Sequence, residues 1–218
     1  NKVTIPPSQK KINHFNEFNS LIYIATDYGI SVYSLEGLEF GDTYYIGSNG
    51  SQIRVNQTAI LNNEIYAACG LNNGIKKASL SNSNLTDFQL WGTIVSGDFT
   101  AVLASASSIY AVNLSNTIFE INGTALNTLF NFPQPVEELN TSETKLLVTT
   151  NSKVYQYGPG FNLIDTYSLP TELDTFFTCA LITGADVYIG TKNYGIIRPD
   201  PLAVYGYEEI HPEGPLRN

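Results

Sequence analysis

The side chains that most often carry out chemistry in proteins are few here and poorly placed for catalysis. The two histidines, His14 and His211, lie near opposite ends of the 218-residue chain, without a second histidine or a cysteine at metal-ligand spacing. The sequence contains no Gly-x-Ser-x-Gly elbow, no His-Glu-x-x-His pair, no Walker loop and no calcium loop. We therefore expect no catalytic residue, no metal site and no cofactor.

The carboxylates in the sequence keep an enzyme open as a weaker alternative. A glycosidase needs two carboxyl groups about 5–10 Å apart. The adjacent pairs Glu137-Glu138 and Glu208-Glu209 point to opposite faces of a strand, so neither pair can act as an acid and base couple. Carboxylates from different structural repeats could instead meet around a central channel. The residues of that alternative are Asp27, Asp98, Asp174 and Asp186, for which solvated turn positions are the simpler interpretation.

A repeat of about 41 residues organises the chain. A strand-like segment, a turn and a second strand recur five times. The large anchor residues of the first segment are Tyr23, Tyr66, Tyr110, Leu147 and Tyr188. The anchors of the second strand are Ile30, Ile75, Ile118, Val154 and Ile196. Since two independent markers agree on the spacing, chance is a poor explanation.

Each repeat has room for four short strands. Small or β-branched residues stand two positions after the first anchors, as expected where neighbouring units converge; they are Ala25, Ala68, Val112, Thr149 and Gly190. An earlier strand and a later, more polar strand flank the central hairpin. Four strands per repeat of this length are typical of a β-propeller, which has about four to eight blades. An immunoglobulin-like sandwich would not need a four-part unit of fixed length.

We therefore predict an all-β chain, with residues 1–218 forming a single β-propeller segment of five four-stranded antiparallel blades. Residues 208–218 are predicted to lead into a following blade or domain. Five units could close a small ring, but a piece of a larger propeller is at least as plausible. Cys69 and Cys179 are expected to be buried free thiols, and Trp91 to be a core residue.

Three residues in the predicted central hairpins are the candidates for a ligand site: Tyr28, Asn73 and Tyr194. In a propeller, this hairpin faces the same end as the link that enters the first strand, where ligands usually dock. Tyr and Asn side chains can stack on sugars and peptides or hydrogen-bond to them. Packing against a neighbouring blade is the alternative for the same three residues.

The composition restricts the partners. Eleven basic and twenty acidic residues give a net charge of −9, which is the wrong sign for binding nucleic acid. No apolar run approaches the roughly 20 residues of a membrane-spanning helix, so we expect no transmembrane segment.

Particular stretches resemble a known family. Residues 42–51, the stretch Ile65-Tyr66-Ala67-Ala68 and the closing His211-Pro212-Glu213-Gly214-Pro215 are similar to the N-terminal propeller of the PorZ family, and sensor propellers of hybrid two-component regulators share the pattern more loosely. PorZ proteins are surface components of the type IX secretion system. The resemblance implies a longer parent with two seven-bladed propellers and a C-terminal sorting domain.

The resemblance also implies a function and a location. It suggests a non-enzymatic binding or scaffold propeller, outside the inner membrane in the periplasm or at the outer-membrane cell surface. The implied partners are other secretion-complex proteins or an anionic lipopolysaccharide. The net charge of −9 opposes long-range attraction to an anionic glycolipid. The alternative function is the periplasmic sensor propeller of a hybrid two-component regulator that binds an oligosaccharide.

Overall fold

The computed structural model describes residues 10–105, 107–142 and 144–210. These residues form twenty β-strands in five four-stranded antiparallel sheets, with three short 3-10 turns between strands. Each sheet contains four strands that are consecutive in the sequence, so each sheet is one of the predicted repeats. The predicted fold class is confirmed: the chain is an all-β protein with five propeller blades.

The described residues up to Asn131 form one compact unit, which holds blades 1 to 3. Strands β1–β4 form blade 1, β5–β8 form blade 2 and β9–β12 form blade 3. Their bounds are β1 Ile12–Phe18, β2 Leu21–Thr26, β3 Gly29–Ser34, β4 Glu39–Tyr44, β5 Val55–Leu61, β6 Glu64–Cys69, β7 Gly74–Ser79, β8 Gly92–Val95, β9 Phe99–Ser105, β10 Ser108–Asn113, β11 Thr117–Asn122 and β12 Ala125–Asn131.

The described residues from Phe132 onward form a second compact unit, which holds blades 4 and 5. Strands β13–β16 form blade 4 and β17–β20 form blade 5. Their bounds are β13 Val136–Ser142, β14 Lys145–Thr150, β15 Lys153–Gly158, β16 Asn162–Ser168, β17 Phe177–Thr183, β18 Asp186–Thr191, β19 Ile196–Pro199 and β20 Tyr207–Ile210.

Turn chemistry explains where the strands reverse. Asn62 and Asn63, between β5 and β6, both have positive φ, and so do Asn19 and Ser20 between β1 and β2. Two consecutive residues with positive φ are typical of a type I′ hairpin turn, whose twist matches that of the flanking strands. The short polar side chains of these residues tolerate this conformation better than most.

A β-bulge marks the second residue of the first strand in every blade. The pairing register between the first and second strands shifts at that residue in all five sheets. The bulged residues are Asn13, Asn56, Thr100, Glu137 and Thr178. A bulge bends its strand and redirects the side chain it carries. At Asn13 and Asn56 the redirected amides donate hydrogen bonds to the backbone carbonyls of Val55 and Phe99, at 2.8 and 2.7 Å.

Each blade has two packing faces, which we name by their residues. The rear face carries the two anchors of the repeat, such as Tyr23 and Ile30 in blade 1. The front face carries the first and fourth residues of the first strand, such as Val55 and Thr58 in blade 2. Within the first unit, the rear face of blade 1 packs on the front side of blade 2, and blade 2 packs on blade 3 in the same way. Within the second unit, blade 4 packs on blade 5 alike.

Several predictions about single residues have outcomes here. Trp91 is buried, as predicted, and its indole N–H donates to the Leu85 carbonyl at 3.0 Å. Both cysteines are free, and Cys69 is buried, but the prediction that Cys179 is buried is wrong. Cys179 lies on the rear side of blade 5, where Leu181 and Ile196 are also partly exposed to solvent. No helix in the described part of the chain is long and apolar enough to cross a membrane.

The predicted lead-in falls in two parts. Residues 208–210 lie in β20, which pairs with β19 as the outer strand of blade 5. Residues 211–218, including His211, lie outside the described residues. The domain boundaries 1–218 and the lead-in therefore stay predictions.

Candidate functional site

One end of each blade carries both the link into the first strand and the hairpin between the second and third strands. We call it the entrance end. Antiparallel pairing places these two segments together, and a backbone hydrogen bond joins them in four blades. The N–H of the first hairpin residue donates to the carbonyl of the residue before the first strand in the pairs Asp27 to Lys11, Gly70 to Arg54, Leu114 to Asp98 and Lys192 to Phe176.

A groove of about 250 Å³ opens at the entrance end of blades 2 and 3. Blade 2 contributes a charged residue and an amide around its first strand, together with two hairpin residues, and blade 3 contributes the equivalent positions. The lining residues are Arg54, Asn56, Gly70, Leu71, Asp98, Thr100 and Leu114. We call this cavity the entrance groove.

The backbone of the entrance groove is held by side-chain hydrogen bonds. The bulge places the Asn56 amide against the Phe99 carbonyl, so blade 2 is tied to the first residue of blade 3. The Thr100 hydroxyl donates to the Val112 carbonyl at 3.3 Å within blade 3. Asn56 and Thr100 lie in strands, and backbone hydrogen bonds from Gly70 to Arg54 and from Leu114 to Asp98 hold the links and hairpins that line the rest of the groove, so the groove is preorganised.

Opposite charges lie on the two sides of the groove. Arg54, with a half-exposed side chain, lies 3.4 Å from a carboxylate oxygen of Asp27 in the neighbouring hairpin of blade 1. That same Asp27 oxygen accepts a hydrogen bond from the Asn13 amide at 3.0 Å. Asp98 supplies the carboxylate on the blade 3 side. The groove therefore offers one cation that is partly neutralised and one carboxylate that faces the cavity.

Two exposed leucines form an apolar rim. Leu71 is 78% exposed and Leu114 is 66% exposed, and both lie in the hairpins that line the groove. Single exposed leucines are ordinary, but two that flank one polar cleft create an amphipathic surface. Such a surface can accept apolar side chains while its polar floor orients backbone groups.

The structure places the three predicted ligand residues in central hairpins, as expected, but in different surroundings. The Tyr28 hydroxyl is 3.2 Å from the Ser31 hydroxyl, and the Asn73 amide bonds back to the Gly70 carbonyl at 2.8 Å. Both belong to the unit that contains the entrance groove. Tyr194 belongs to the other unit and packs against the core between blades 4 and 5.

The four acids of the enzyme alternative do not form one cluster. Asp27 is engaged by Arg54 and Asn13. In blade 5, Asp174 precedes β17 whereas Asp186 follows it, so these two lie at opposite ends of that strand. Asp186 faces Arg198 at 3.6 Å. Among the described residues, no group of three His, Cys, Asp or Glu side chains could hold a metal ion.

A second cavity, of about 290 Å³, lies in the other unit beside Glu138. Its further lining includes Asn140, Cys179, Leu181 and Ile196. The Glu138 carboxylate accepts a hydrogen bond from the Ala180 N–H at 2.9 Å, which ties blade 4 to blade 5. Burial raises the pKa of Glu138 more than this hydrogen bond lowers it.

We expect Glu138→Gln to raise the free energy of unfolding by about 1 kcal/mol at pH 7, because a neutral amide keeps the acceptor and removes the cost of a buried charge. Since the folded-state pKa lies above the ordinary value of 4.5, the charge penalty grows as pH rises through that interval and disappears below it. Urea unfolding of both proteins at pH 4 and pH 7 measures the difference. If Glu138→Gln raised the free energy of unfolding equally at both pH values, the buried charge of Glu138 would not be the cause.

Sequence reasoning missed most of the entrance groove. Arg54 and Asp98 each stand immediately before the first strand of a blade, and Asn56 and Thr100 are bulge residues. The repeat itself was the available signal, because equivalent positions in successive blades point into the same cleft. Leu71 and Leu114 could have been found in the same way as Asn73, as residues of the central hairpins.

The fold and the groove define the class of this protein as a β-propeller with a preorganised entrance-end cleft. Residues 2–92 match the model of the family described as the N-terminal β-propeller domain of PorZ from the type IX secretion system. The predicted resemblance to this family is thereby confirmed over residues 2–92, which are less than half of the chain. No curated protein matches the sequence.

Solved structures share the fold at low sequence identity. PorZ of Porphyromonas gingivalis, an essential bacterial surface component of the type IX secretion system, superposes with a TM-score of 0.70 at 12% identity, covering 94% of this chain and 26% of PorZ. The extracellular domain of a putative hybrid two-component system of B. thetaiotaomicron has a TM-score of 0.68 at 16% identity, covering 92% and 29%. This chain thus spans about a quarter of the length of these relatives.

BamB from Moraxella catarrhalis is a third similar structure, with a TM-score of 0.59 at 10% identity, and the alignment covers 84% of this chain and 55% of BamB. At such identities the likeness concerns the fold alone. The propeller scaffold is therefore common to proteins of different kinds, and the site must decide the function.

Proposed function

We propose that this chain is a non-enzymatic binding module of a surface type IX secretion protein, and that its entrance groove holds a segment of a partner protein of the secretion complex. The observation that carries the proposal is the groove between blades 2 and 3, with Arg54 and Asp98 on its two sides and the exposed Leu71 and Leu114 in the hairpins that line it. The family match over residues 2–92 supplies the secretion context.

The chemistry of the groove favours polypeptide over an anionic glycolipid. A polypeptide offers apolar side chains to the leucine rim, and backbone donors and acceptors to Asp98, Asn56 and Arg54. A lipopolysaccharide phosphate would meet one partly neutralised guanidinium beside two carboxylates, in a protein of net charge −9. Repulsion and the lack of a second cation both oppose that ligand.

The three hairpin residues predicted from the sequence have distinct parts in this proposal. Tyr28 and Asn73 stand in the hairpins of blades 1 and 2, where they extend the binding surface around the groove. Tyr194 belongs to the other unit and packs against the core between blades 4 and 5, so the entrance groove does not include it. The location that follows from the proposal is the periplasmic or outer-membrane cell surface.

The groove double variant Leu71→Asp with Leu114→Asp is expected to lose at least about tenfold in partner affinity, which corresponds to about 1.4 kcal/mol. The measurement is a pull-down with the immobilised chain from solubilised outer membranes of the parent organism, followed by mass spectrometry. We expect a type IX secretion component to bind the original chain and to be depleted on the double variant.

Leu38→Asp is the matched control, because Leu38 is 72% exposed and lies in the β3–β4 turn at the other end of blade 1. It should retain the partner. Recovery of the same secretion component on all three proteins would contradict a role for the groove. Vesicles that contain lipopolysaccharide form a separate arm, and binding that depends on Leu71 and Leu114 there would favour the glycolipid instead.

A further inference from the structure

The boundary between blades 1 and 2 and the boundary between blades 2 and 3 are built from equivalent residues at the entrance end. Three positions meet at each boundary: the bulge residue of one blade, the first residue of its central hairpin, and the residue that precedes the first strand of the next blade. They are Asn13, Asp27 and Arg54 at the first boundary, and Asn56, Gly70 and Asp98 at the second. The two boundaries can therefore be compared position by position.

At the boundary of blades 1 and 2, the three side chains satisfy one another. One carboxylate oxygen of Asp27 lies 3.4 Å from the Nε of Arg54. The same oxygen accepts a hydrogen bond from the Asn13 amide at 3.0 Å. The hairpin carboxylate thus occupies the space between the asparagine of its own blade and the cation of the next blade, and the opposite charges pair within the chain.

At the boundary of blades 2 and 3, the hairpin supplies no side chain. Gly70 takes the position of Asp27, and the charged residue of the next blade is the acid Asp98. A Cβ on Gly70 would lie 3.3 Å from the Asn56 amide nitrogen and 3.7 Å from a carboxylate oxygen of Asp98. The Cδ of Arg54 would be the third neighbour, at 3.5 Å. The missing side chain would therefore stand among the polar groups that line the entrance groove.

The backbone does not require a glycine at position 70. Gly70 does not have a positive φ, in contrast to Gly74 in the same hairpin at +76°. Its N–H makes the backbone hydrogen bond that the equivalent residues of three other blades also make, and those residues carry side chains; they are Asp27, Leu114 and Lys192. Gly70 thus opens space in the groove that is occupied by a side chain in other blades.

Asp98 is left without a cation. No Lys, Arg or His side chain in the part of the chain that the structure describes forms an ion pair with it. Arg54 lines the same groove, but Asp27 engages it. The amide nitrogen of Asn56 donates to the Phe99 carbonyl, which leaves the amide oxygen as an acceptor. A carboxylate and an amide oxygen beside open space are complementary to a cation with several N–H donors.

We propose that the entrance groove binds a Lys or Arg side chain of the partner segment, with the cationic group beside Gly70, between Asp98 and Asn56. This inference rests on the proposed function and deepens it by naming the chemistry of the bound residue. The partner's cation completes an ion pair like the one between Arg54 and Asp27, with the signs exchanged. The net charge of −9 attracts a cationic segment at long range.

Peptide selection on the immobilised chain tests the charge of the bound residue. The probe is a phage-displayed library of short random peptides. We expect the enriched peptides to carry a Lys or Arg beside an apolar residue. On Asp98→Asn the preference for the basic residue should disappear, and a synthetic peptide of the enriched sequence should bind at least about fivefold more weakly, because a charge-assisted hydrogen bond is lost.

Asp42→Asn is the matched control, because Asp42 is exposed on the outer strand β4 and its replacement changes the net charge by the same amount. This variant should enrich the same peptides as the unmodified chain. Gly70→Lys supplies a cation from within the chain, so it should weaken binding of the basic peptide at least as much as Asp98→Asn does. Circular dichroism verifies that each variant keeps its fold.

The outcomes separate this inference from the proposed function. Enriched peptides that depend on Leu71 and Leu114 but carry no basic residue would overturn the inference and leave the groove as a peptide site. A preference for basic residues that persists on Asp98→Asn would overturn it as well. If no peptide were enriched in a way that Leu71→Asp with Leu114→Asp removes, the proposed function itself would be contradicted, and this inference with it.

Discussion

Replacing Phe177 with alanine is expected to lower the free energy of unfolding by about 3–5 kcal/mol, as for other large-to-small changes in a close-packed core. Phe177 is fully buried at the start of β17, where it packs with Leu147 and Val154 of blade 4. Its ring also meets Tyr207 edge to face, with centroids 6.3 Å apart. The change removes packing between two blades and within one. Urea unfolding monitored by far-UV circular dichroism measures it.

Phe40→Ala is the control for the loss of an aromatic ring outside the core. Phe40 is exposed, and its ring has an edge contact with Tyr33 at 5.1 Å, so its loss should cost about 1 kcal/mol. If Phe177→Ala cost no more than Phe40→Ala, the packing of blade 4 on blade 5 would not be the stabilising contact described here.

Gly74→Ala is expected to cost about 2 kcal/mol more than the same change at Gly195. Both glycines precede a second-strand anchor, and both have positive φ, at +76° and +62°. A Cβ on Gly74 would lie 2.1 Å from the Val95 carbonyl oxygen, so β7 or β8 must shift. A shift would also disturb the 2.8 Å hydrogen bond from the Gly74 N–H to the Gly97 carbonyl. Overpacking of this kind costs about 1–3 kcal/mol.

Gly195→Ala isolates the conformational part of that cost. Nothing lies within 4 Å of a Cβ at Gly195, so only the strain of positive φ remains, about 1–2 kcal/mol. Parallel urea titrations of the two variants give the difference directly. Equal losses of stability would mean that the close approach of β8 to Gly74 does not constrain the hairpin.

The repeat was predictable because every blade needs large apolar residues at the same positions, so these residues recur at a regular sequence spacing. Large anchors such as Tyr23 and Ile30 recur wherever a rear face must fill the space before the next blade, and both residues are buried as a result. The central hairpins were predictable from residues that tolerate positive φ. Alternation along four short strands per repeat then left the propeller as the simplest all-β arrangement.

Exposure at particular positions was not predictable, because it depends on which blade neighbours which. Cys179 lies in an apolar strand like Cys69, yet Cys69 is buried and Cys179 is exposed, on the same side of blade 5 as the half-exposed Leu181. Ile196 has the sequence pattern of Ile75, yet it is 48% exposed whereas Ile75 is fully buried. Periodicity reports which face a side chain occupies, and tertiary contacts decide whether that face is covered.

The candidate site was partly predictable. The sequence predicted the end of the blades at which the site lies, through the hairpin positions of Tyr28 and Asn73. It did not predict the charged lining, because Arg54 and Asp98 lie outside the regular strands and become neighbours only when two blades pack. The bulges, which aim Asn13 and Asn56 across a blade boundary, have no clear sequence signature, since the five bulged residues include Asn, Thr and Glu.

Site-specific photo-cross-linking tests the proposed recognition most directly. A benzophenone amino acid replaces Leu71 in one version of the protein and Leu38 in another, and living cells of the parent organism are irradiated. The two leucines have similar exposure but lie at opposite ends of their blades. We predict that a type IX secretion protein is cross-linked from position 71 and not from position 38. Equal cross-linking from both positions, or cross-linking from position 38 alone, would contradict recognition at the entrance groove.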